Sequence, residues 1–249
     1  YWKFDETSGT TLYDELETTN LDTTNVTINQ TGKIEKAIIT TDLKNTGIGF
    51  DTNRSYVGWI KSEILEEGSN IPIFIRLTSA NGNYARINFD NNTTASIWTI
   101  AHGVAVRYDS GSITVPNVVD NWLFFYLGYD SVSNVFSWCL NDTCDSGDAG
   151  TLNGDAINYD FIFSEAGGNI FVDEVGIWDR TLTSSEINTL YNHGAGNTYP
   201  FTINNVDANF DYDLDYVTPI INLTDTSTVL GAVGITDWNW FSNGVQFST

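Results

Sequence analysis

Two adjacent carboxylates, Asp173 and Glu174, are the first residues of this 249-residue chain to invite a chemical reading. Paired acids hydrolyse glycosidic bonds when their carboxyl groups stand about 5 to 9 Å apart across one cleft. These two lie in Asn169-Ile-Phe-Val-Asp-Glu-Val-Gly-Ile-Trp178, which reads as a strand, where neighbouring side chains point to opposite faces. The expected roles are therefore structural, with one acid hydrogen-bonded inside and the other facing solvent. The chain has no Gly-x-Ser-x-Gly elbow, no His-Glu-x-x-His and no P-loop. Its two histidines, His102 and His193, leave few ways to build a Ser-His-Asp triad. Catalysis is not expected.

Metal and ligand chemistry rests on loops. Asp207-x-Asn209-x-Asp211 starts like an EF-hand loop, but Tyr212 replaces the glycine at position six and Thr218 the glutamate at position twelve. The clusters Asp51-Thr52-Asn53, Asp90-Asn91-Asn92 and Asp142-Thr143-Cys144-Asp145 could supply oxygen ligands to Ca²⁺; ordinary Asx turns are the plainer account. No cofactor is required. Aromatics beside polar loops suit sugars, because pyranose faces stack on rings while hydroxyls meet amides and acids. Tyr84, Trp98 and Tyr108, next to Asp90, Asn91, Asn92 and Asp109, form the candidate ligand set. For Trp98 a core position and a surface position are equally compatible with its neighbours. Trp59, Trp122, Trp138 and Trp178 sit in dense apolar runs and are assigned to the core.

Ten basic and 32 acidic residues give a net charge of −22. Nucleic acid needs a basic footprint, and none is visible. An anionic membrane surface is disfavoured on the same ground. The acidity reads either as general solubility or as specific cation sites. No apolar run approaches the roughly 18 residues that cross a bilayer, so membrane insertion is not expected. Methionine is absent, even at position 1, which reads as a portion of a longer chain. Cys139 and Cys144 flank Asn141-Asp142, a hairpin turn that would set them face to face. A small disulfide and an oxidising compartment follow, with buried free thiols as the alternative. Asn25, Asn29, Asn53, Asn91, Asn92, Asn141 and Asn222 each begin an Asn-x-Ser/Thr sequon, permitting glycosylation on an exported protein.

These residues must be carried by strands. Thr, Asn, Ser, Gly and aromatics are plentiful, and eight Trp, twelve Tyr and fourteen Phe are ample for a two-sheet core. One stretch reads as helix, near 183–193. Thr183 caps it and Glu186 reaches back in a capping box. Leu182 and Ile187 form a hydrophobic staple, Ile187, Leu190 and Tyr191 make one apolar face, and Gly194 ends it.

Residues 169–194 closely resemble the closing signature of the laminin-G-like, concanavalin A-like jelly-roll family. Tyr1-Trp-Lys-Phe-Asp-Glu-Thr-Ser-Gly9 resembles that family's first strand, Gly32-Lys-Ile-Glu-Lys-Ala37 its second block and Ser55-Tyr-Val-Gly-Trp-Ile-Lys61 its central strand. Asn121–Asp130 with Phe136–Asp142 resembles its hairpin, with Asn141-Asp142 in place of the usual Asn-Gly. The likeness implies an all-β, two-sheet antiparallel jelly-roll sandwich over residues 1–200. It also implies calcium at the sandwich rim in many relatives, for which Asp51, Asn53 and Asp90 are the candidates. The Glu-x-Asp-x-x-Glu motif of jelly-roll glucanases is missing, since no Glu-x-Asp occurs.

Near residue 200 the pattern changes. From Asp207 to Tyr216 acids and amides alternate with Ala208, Phe210, Tyr212, Leu214 and Tyr216, as in a half-buried strand. Strands are also expected at 220–227 and 235–247, the latter with an Asn243-Gly244 turn. Residues 201–249 resemble part of a polycystic-kidney-disease-type, immunoglobulin-like repeat, which needs about seven strands. Its completion by further chain or by a copy of itself is expected. The function expected is a non-catalytic, lectin-like module at a cell or virion surface that binds a glycan or a protein receptor. A structural subunit of a virus particle, tail fibre or surface filament is the alternative, with a degenerate glycoside hydrolase in reserve.

Overall fold

Runs of β-branched and aromatic residues broken by Asn, Asp and Gly turns set up strands throughout. The computed structural model describes residues 1–45, 53–62, 73–78, 84–91, 93–101, 105–119, 121–148, 160–165, 170–201, 205–207, 210–215, 220–225, 228–230, 240–242 and 245–248. The chain divides into two compact units, Tyr1–Tyr199 and Pro200–Thr249.

The first unit begins with β1 (Thr11–Leu12), β2 (Leu21–Asp22), β3 (Val26–Thr31), β4 (Lys36–Thr40), β5 (Asp42–Asn45) and β6 (Arg54–Ser62). Then come β7 (Ile73–Thr78), β8 (Tyr84–Asn91), β9 (Thr94–Ala101), β10 (Ala105–Asp109) and β11 (Ile113–Thr114). Last are β12 (Leu123–Asp130), β13 (Val135–Leu140), β14 (Thr143–Asp148), β15 (Asp160–Glu165), β16 (Ile170–Trp178) and helix α1 (Ser184–Tyr191). One seven-stranded sheet runs β14-β13-β12-β6-β16-β4-β3; a second runs β10-β9-β8-β7-β15-β5, with β11 on β9. The described ladders are antiparallel. Leu43, Ile87, Ala95 and Ile97 of the second sheet share one core with Tyr56, Ile60, Phe125, Leu127 and Val172 of the first. Among the described residues, the first unit is therefore an all-β sandwich with one short α-helix.

The helix explains why β12 is buried on both faces. Its odd residues Leu123, Phe125 and Leu127 join the core between the sheets. On the outer face Phe124 meets Tyr191 at 5.4 Å and Trp59 at 5.3 Å between ring centroids. Strand and helix cover together turn an alternating strand into a continuous apolar run. The capping box is formed: the Thr183 hydroxyl accepts from the Glu186 N–H, while the Glu186 carboxylate accepts from the Thr183 N–H. Leu182 and Ile187 are both buried. Gly194 is not the stop, however. The helix ends at Tyr191 because Asn192 adopts the left-handed conformation (φ 46°), which its short polar side chain tolerates.

Two other expectations need correcting. Residues 1–9 do not form a strand; Trp2 alone bridges Val175, and the first ladder is β1 with β2. Trp59 and Trp138 are core residues, whereas Trp122 and Trp178 are only half-buried. Trp178 lies over Gly176, where a Cβ would come within 2.4 Å of its ring.

In the second unit the described strands are β17 (Asn205–Asp207), β18 (Phe210–Asp215), β19 (Ile220–Asp225), β20 (Thr228–Leu230), β21 (Trp240–Ser242) and β22 (Val245–Ser248). They pair as β17 with β20, β18 with β19 and β21 with β22. Residues 208, 209 and 216 and the Asn243-Gly244 turn lie outside the described residues. No helix of the described residues is long and apolar enough to cross a membrane.

Candidate functional site

Register decides which members of the expected ligand set meet. Ile87 pairs with Ile97 in a core row. The next row is Arg86–Trp98–Asp109 across β8, β9 and β10, and Asp109 is exposed. Tyr84 pairs with Ile100, one row further in the same alternation. Tyr84, Trp98 and Asp109 are thus neighbours on three adjoining strands. Tyr108 is not in that alternation, because a register shift after Val106 pairs it with Thr99. Asp90 and Asn91 close β8 at its far end, where Asn91 pairs with Thr94. At about 3.3 Å per residue they stand roughly 20 Å along the strand from Tyr84. Asn92 lies outside the described residues. The Asp109 carboxylate accepts from the Gly111 N–H at 2.8 Å, an Asx turn.

Of the calcium candidates, Asp51 lies outside the described residues and Asp90 sits on β8. The amide oxygen of Asn53 is occupied: it accepts from the Ser131 N–H at 2.8 Å and from the Ser131 hydroxyl at 2.9 Å. Among the described residues no group of three or more His, Cys, Asp or Glu is placed to hold a metal ion.

Cys139 and Cys144 form the disulfide, directly opposite each other across β13 and β14. Asn141 takes φ 53° in the turn, and its side-chain oxygen accepts from the Phe124 N–H. Among the sequons, Asn25 and Asn29 are exposed beside and on edge strand β3, while Asn53 and Asn141 are half-buried. Asn91 is on β8, and Asn222 is on β19.

The acid pair differs from its expected form. Glu174 takes φ 51°, and the pairing jumps from Asp173 with Trp59 to Gly176 with Val57. This β-bulge cancels the strict alternation, so both acids are buried, at 0% and 2% exposure. Neither faces solvent. Asp173 Oδ2 accepts from the Lys33 and Ile34 N–H groups at 2.8 and 3.0 Å, which ties the turn before β4 to β16. The Tyr1 hydroxyl donates to Glu174 Oε2. Asp173 Oδ1 and Glu174 Oε1 accept nothing from the described protein atoms. Burial, reinforced by the neighbouring Glu174 charge, pushes Asp173 up to about 8; burial likewise pushes Glu174 up to about 7. The signal in the sequence was Gly176, since glycine inside an apolar strand marks a bulge or a close approach.

A third cluster escaped the sequence reading. On the outer face of the first sheet Lys61 pairs with Phe171, and Trp122 lies just before β12. The Lys61 ammonium sits 4.4 Å from the Phe171 ring centroid and 5.3 Å from that of Trp122. The two rings meet edge to face, 6.2 Å apart. All three residues are half-buried.

Neither a protein-family model nor a curated protein matches the sequence. Solved structures do match. Trypanosoma rangeli sialidase in complex with sialic acid is similar at 13% identity with a TM-score of 0.53, covering 78% of this chain and 33% of that one. The same sialidase in complex with 2,3-difluoro-KDN gives 12% identity and a TM-score of 0.54, covering 78% and 32%. The receptor-binding domain of botulinum neurotoxin mosaic serotype C/D gives 12% identity and a TM-score of 0.49, covering 80% and 55%. The chain therefore spans about a third of the sialidase chains it matches. The sialidase likeness shows a β-sandwich fold and carries nothing about activity.

Proposed function

We propose that this chain is a non-catalytic recognition module that acts outside the cell, at a cell or virion surface, and binds a glycan or a protein receptor in lectin-like fashion. The laminin-G-like resemblance of residues 1–200 belongs to the same reading. The observation that carries it is the register of β8, β9 and β10, which gathers Tyr84, Trp98 and Asp109 at neighbouring positions on one sheet. Aromatic and acidic residues so placed suit a pyranose with its hydroxyls. The buried acid pair is not a glycosidase pair on this reading, because carboxylates with 0% and 2% exposure cannot touch a substrate. The disulfide agrees with an oxidising compartment.

A glycan array run with and without Ca²⁺, using the chain and Trp98→Ala, tests the reading. Binding that falls with Trp98→Ala is expected; an array on which no glycan binds removes the lectin-like reading. A calcium requirement would show that the module holds the ion. A reducing-sugar assay on β-glucans guards the other side, since turnover abolished by changing one carboxylate makes the chain an enzyme.

The second unit favours a structural role beside this one. Its described ladders, β17 with β20, β18 with β19 and β21 with β22, are antiparallel, as in the immunoglobulin-like repeat that residues 201–249 resemble. Strand pairing of this unit with that of another copy would be β-strand addition. Sedimentation of the 249-residue chain tests this: self-association is expected, and a monomer with 201–249 protected from hydrogen exchange overturns it.

A further inference from the structure

We propose that Lys61, held between Trp122 and Phe171 on the outer face of the seven-stranded sheet, anchors a subsite for the carboxylate of an acidic sugar residue. The inference rests on the lectin-like reading and narrows its ligand to a glycan carrying one carboxylate. Its location differs from that of Trp98, which lies in the other sheet.

The geometry fixes the ammonium before any ligand arrives. Lys61 and Phe171 face each other across β6 and β16, and the two rings hold Nζ at 4.4 and 5.3 Å from their centroids. Cation–π contact confines an otherwise mobile four-carbon chain, so binding has less side-chain freedom to remove. The rings supply no counter-charge, however. Lys3 pairs with Glu15, and Arg180 pairs with Glu186. Lys33 also lies over a ring, that of Trp59 at 4.6 Å, but beside one aromatic rather than between two. Lys61 has no carboxylate partner among the described residues.

A half-buried, pinned ammonium without an acid is suited to an incoming carboxylate. An N⁺–H···O⁻ bond formed there is charge-assisted and less screened than one in open water. The C–H edge of a pyranose would then pack against the open part of the Trp122 indole. Net charge sets the upper limit on ligand charge. At −22 the chain repels long polyanions, so a glycan with a single acidic residue is favoured over a uniformly charged polymer.

The test is calorimetric titration of the full chain with two tetrasaccharides that differ only in one residue, a hexose or the corresponding hexuronate. The uronate form is expected to bind more tightly. Lys61→Gln should weaken it about tenfold and leave binding of the neutral form unchanged, while Lys61→Arg should retain most of the affinity. Equal melting temperatures for the variants exclude a folding defect as the cause. Uronate binding unaltered by Lys61→Gln overturns the proposal, as does binding of the neutral form alone, which leaves the lectin-like reading standing. If neither form binds and the glycan array is blank, that reading falls as well.

Discussion

Asp14, in the loop between β1 and β2, and Asp173, in the β16 bulge, are both buried, at 4% and 0% exposure, yet their carboxyls behave in opposite ways. Asp14 is surrounded by donors. Its Oδ1 accepts from the Tyr1 amino group at 2.7 Å and the Leu16 N–H at 3.2 Å. Its Oδ2 accepts from the N–H groups of Thr18 and Thr19 at 3.0 Å and from the Thr18 hydroxyl. Burial pushes Asp14 up, but these bonds outweigh it and hold the carboxyl well below its usual range. Asp173 has two donors, both on one oxygen, and an acid as its neighbour; burial wins and the proton stays on. Donor count, not depth, separates a buried charge from a buried neutral acid.

Among the substitutions, the largest expected effect is at the charged end of this contrast. Asp14→Asn keeps the shape but removes the charge and turns one acceptor into a donor facing donors. A loss of about 3 kcal/mol of unfolding free energy is expected from denaturant titration at pH 7. A loss below about 1 kcal/mol would mean the five bonds are not made.

The pH dependence tests both ends of the contrast together. Asp173 binds its proton up to about pH 8 in the folded chain, against a usual value of 3.8, so the folded state holds more protons than the unfolded one between those values. Stability therefore falls as pH rises through that window, by about 1.4 kcal/mol per unit for each proton retained. Asp14 has the reverse sign: its depressed carboxyl stabilises above the unfolded value, and that contribution is lost as pH falls. Maximum stability near pH 4 to 5 is the combined expectation, checked by melting curves from pH 3 to 9. A maximum at pH 8 would contradict a protonated Asp173.

Asp173→Asn sharpens the same point with a smaller change. Asparagine replaces an acid that is already neutral and keeps an acceptor for Lys33 and Ile34. Because the acid it replaces is charged in the unfolded chain at pH 6, the variant should be no less stable than the parent there, and the decline toward pH 8 should flatten. A loss as large as that of Asp14→Asn would erase the distinction between the two sites.

How much of this was legible depends on how local each feature is. Thr183, Glu186, Leu182 and Ile187 lie within one turn of each other, so spacing alone places the cap and the staple. Cys139 and Cys144 were equally readable, because a two-residue turn fixes which residues face each other. Strict alternation across 170–178 puts the two acids on opposite faces, whereas Glu174 enters the left-handed region that glutamate rarely adopts. Gly176 was the available clue. Lys61, Trp122 and Phe171 come from three segments separated along the chain, and Trp122 looks like any core tryptophan in sequence. Only the register brings them together. Tyr108 was grouped with Trp98 by proximity in sequence, and a one-residue shift in β10 separates them.

Glu186 carries the contrast to the surface. Like Asp14 it is rich in donors: Arg180 forks onto both of its oxygens, and the Thr183 N–H and hydroxyl reach one of them. The Arg180 bond is the main cause that lowers its carboxyl, to about 2. Yet the Glu186 side chain is 31% exposed and that of Arg180 50%, so water competes for the same groups and salt screens the pair. Glu186→Gln keeps an acceptor for the cap and removes only the charge. The expected cost is about 0.5 kcal/mol, shrinking in 1 M salt. A loss as large as that of Asp14→Asn would mean that donor number alone sets the energy; a several-fold smaller loss shows that burial sets how much each donor contributes.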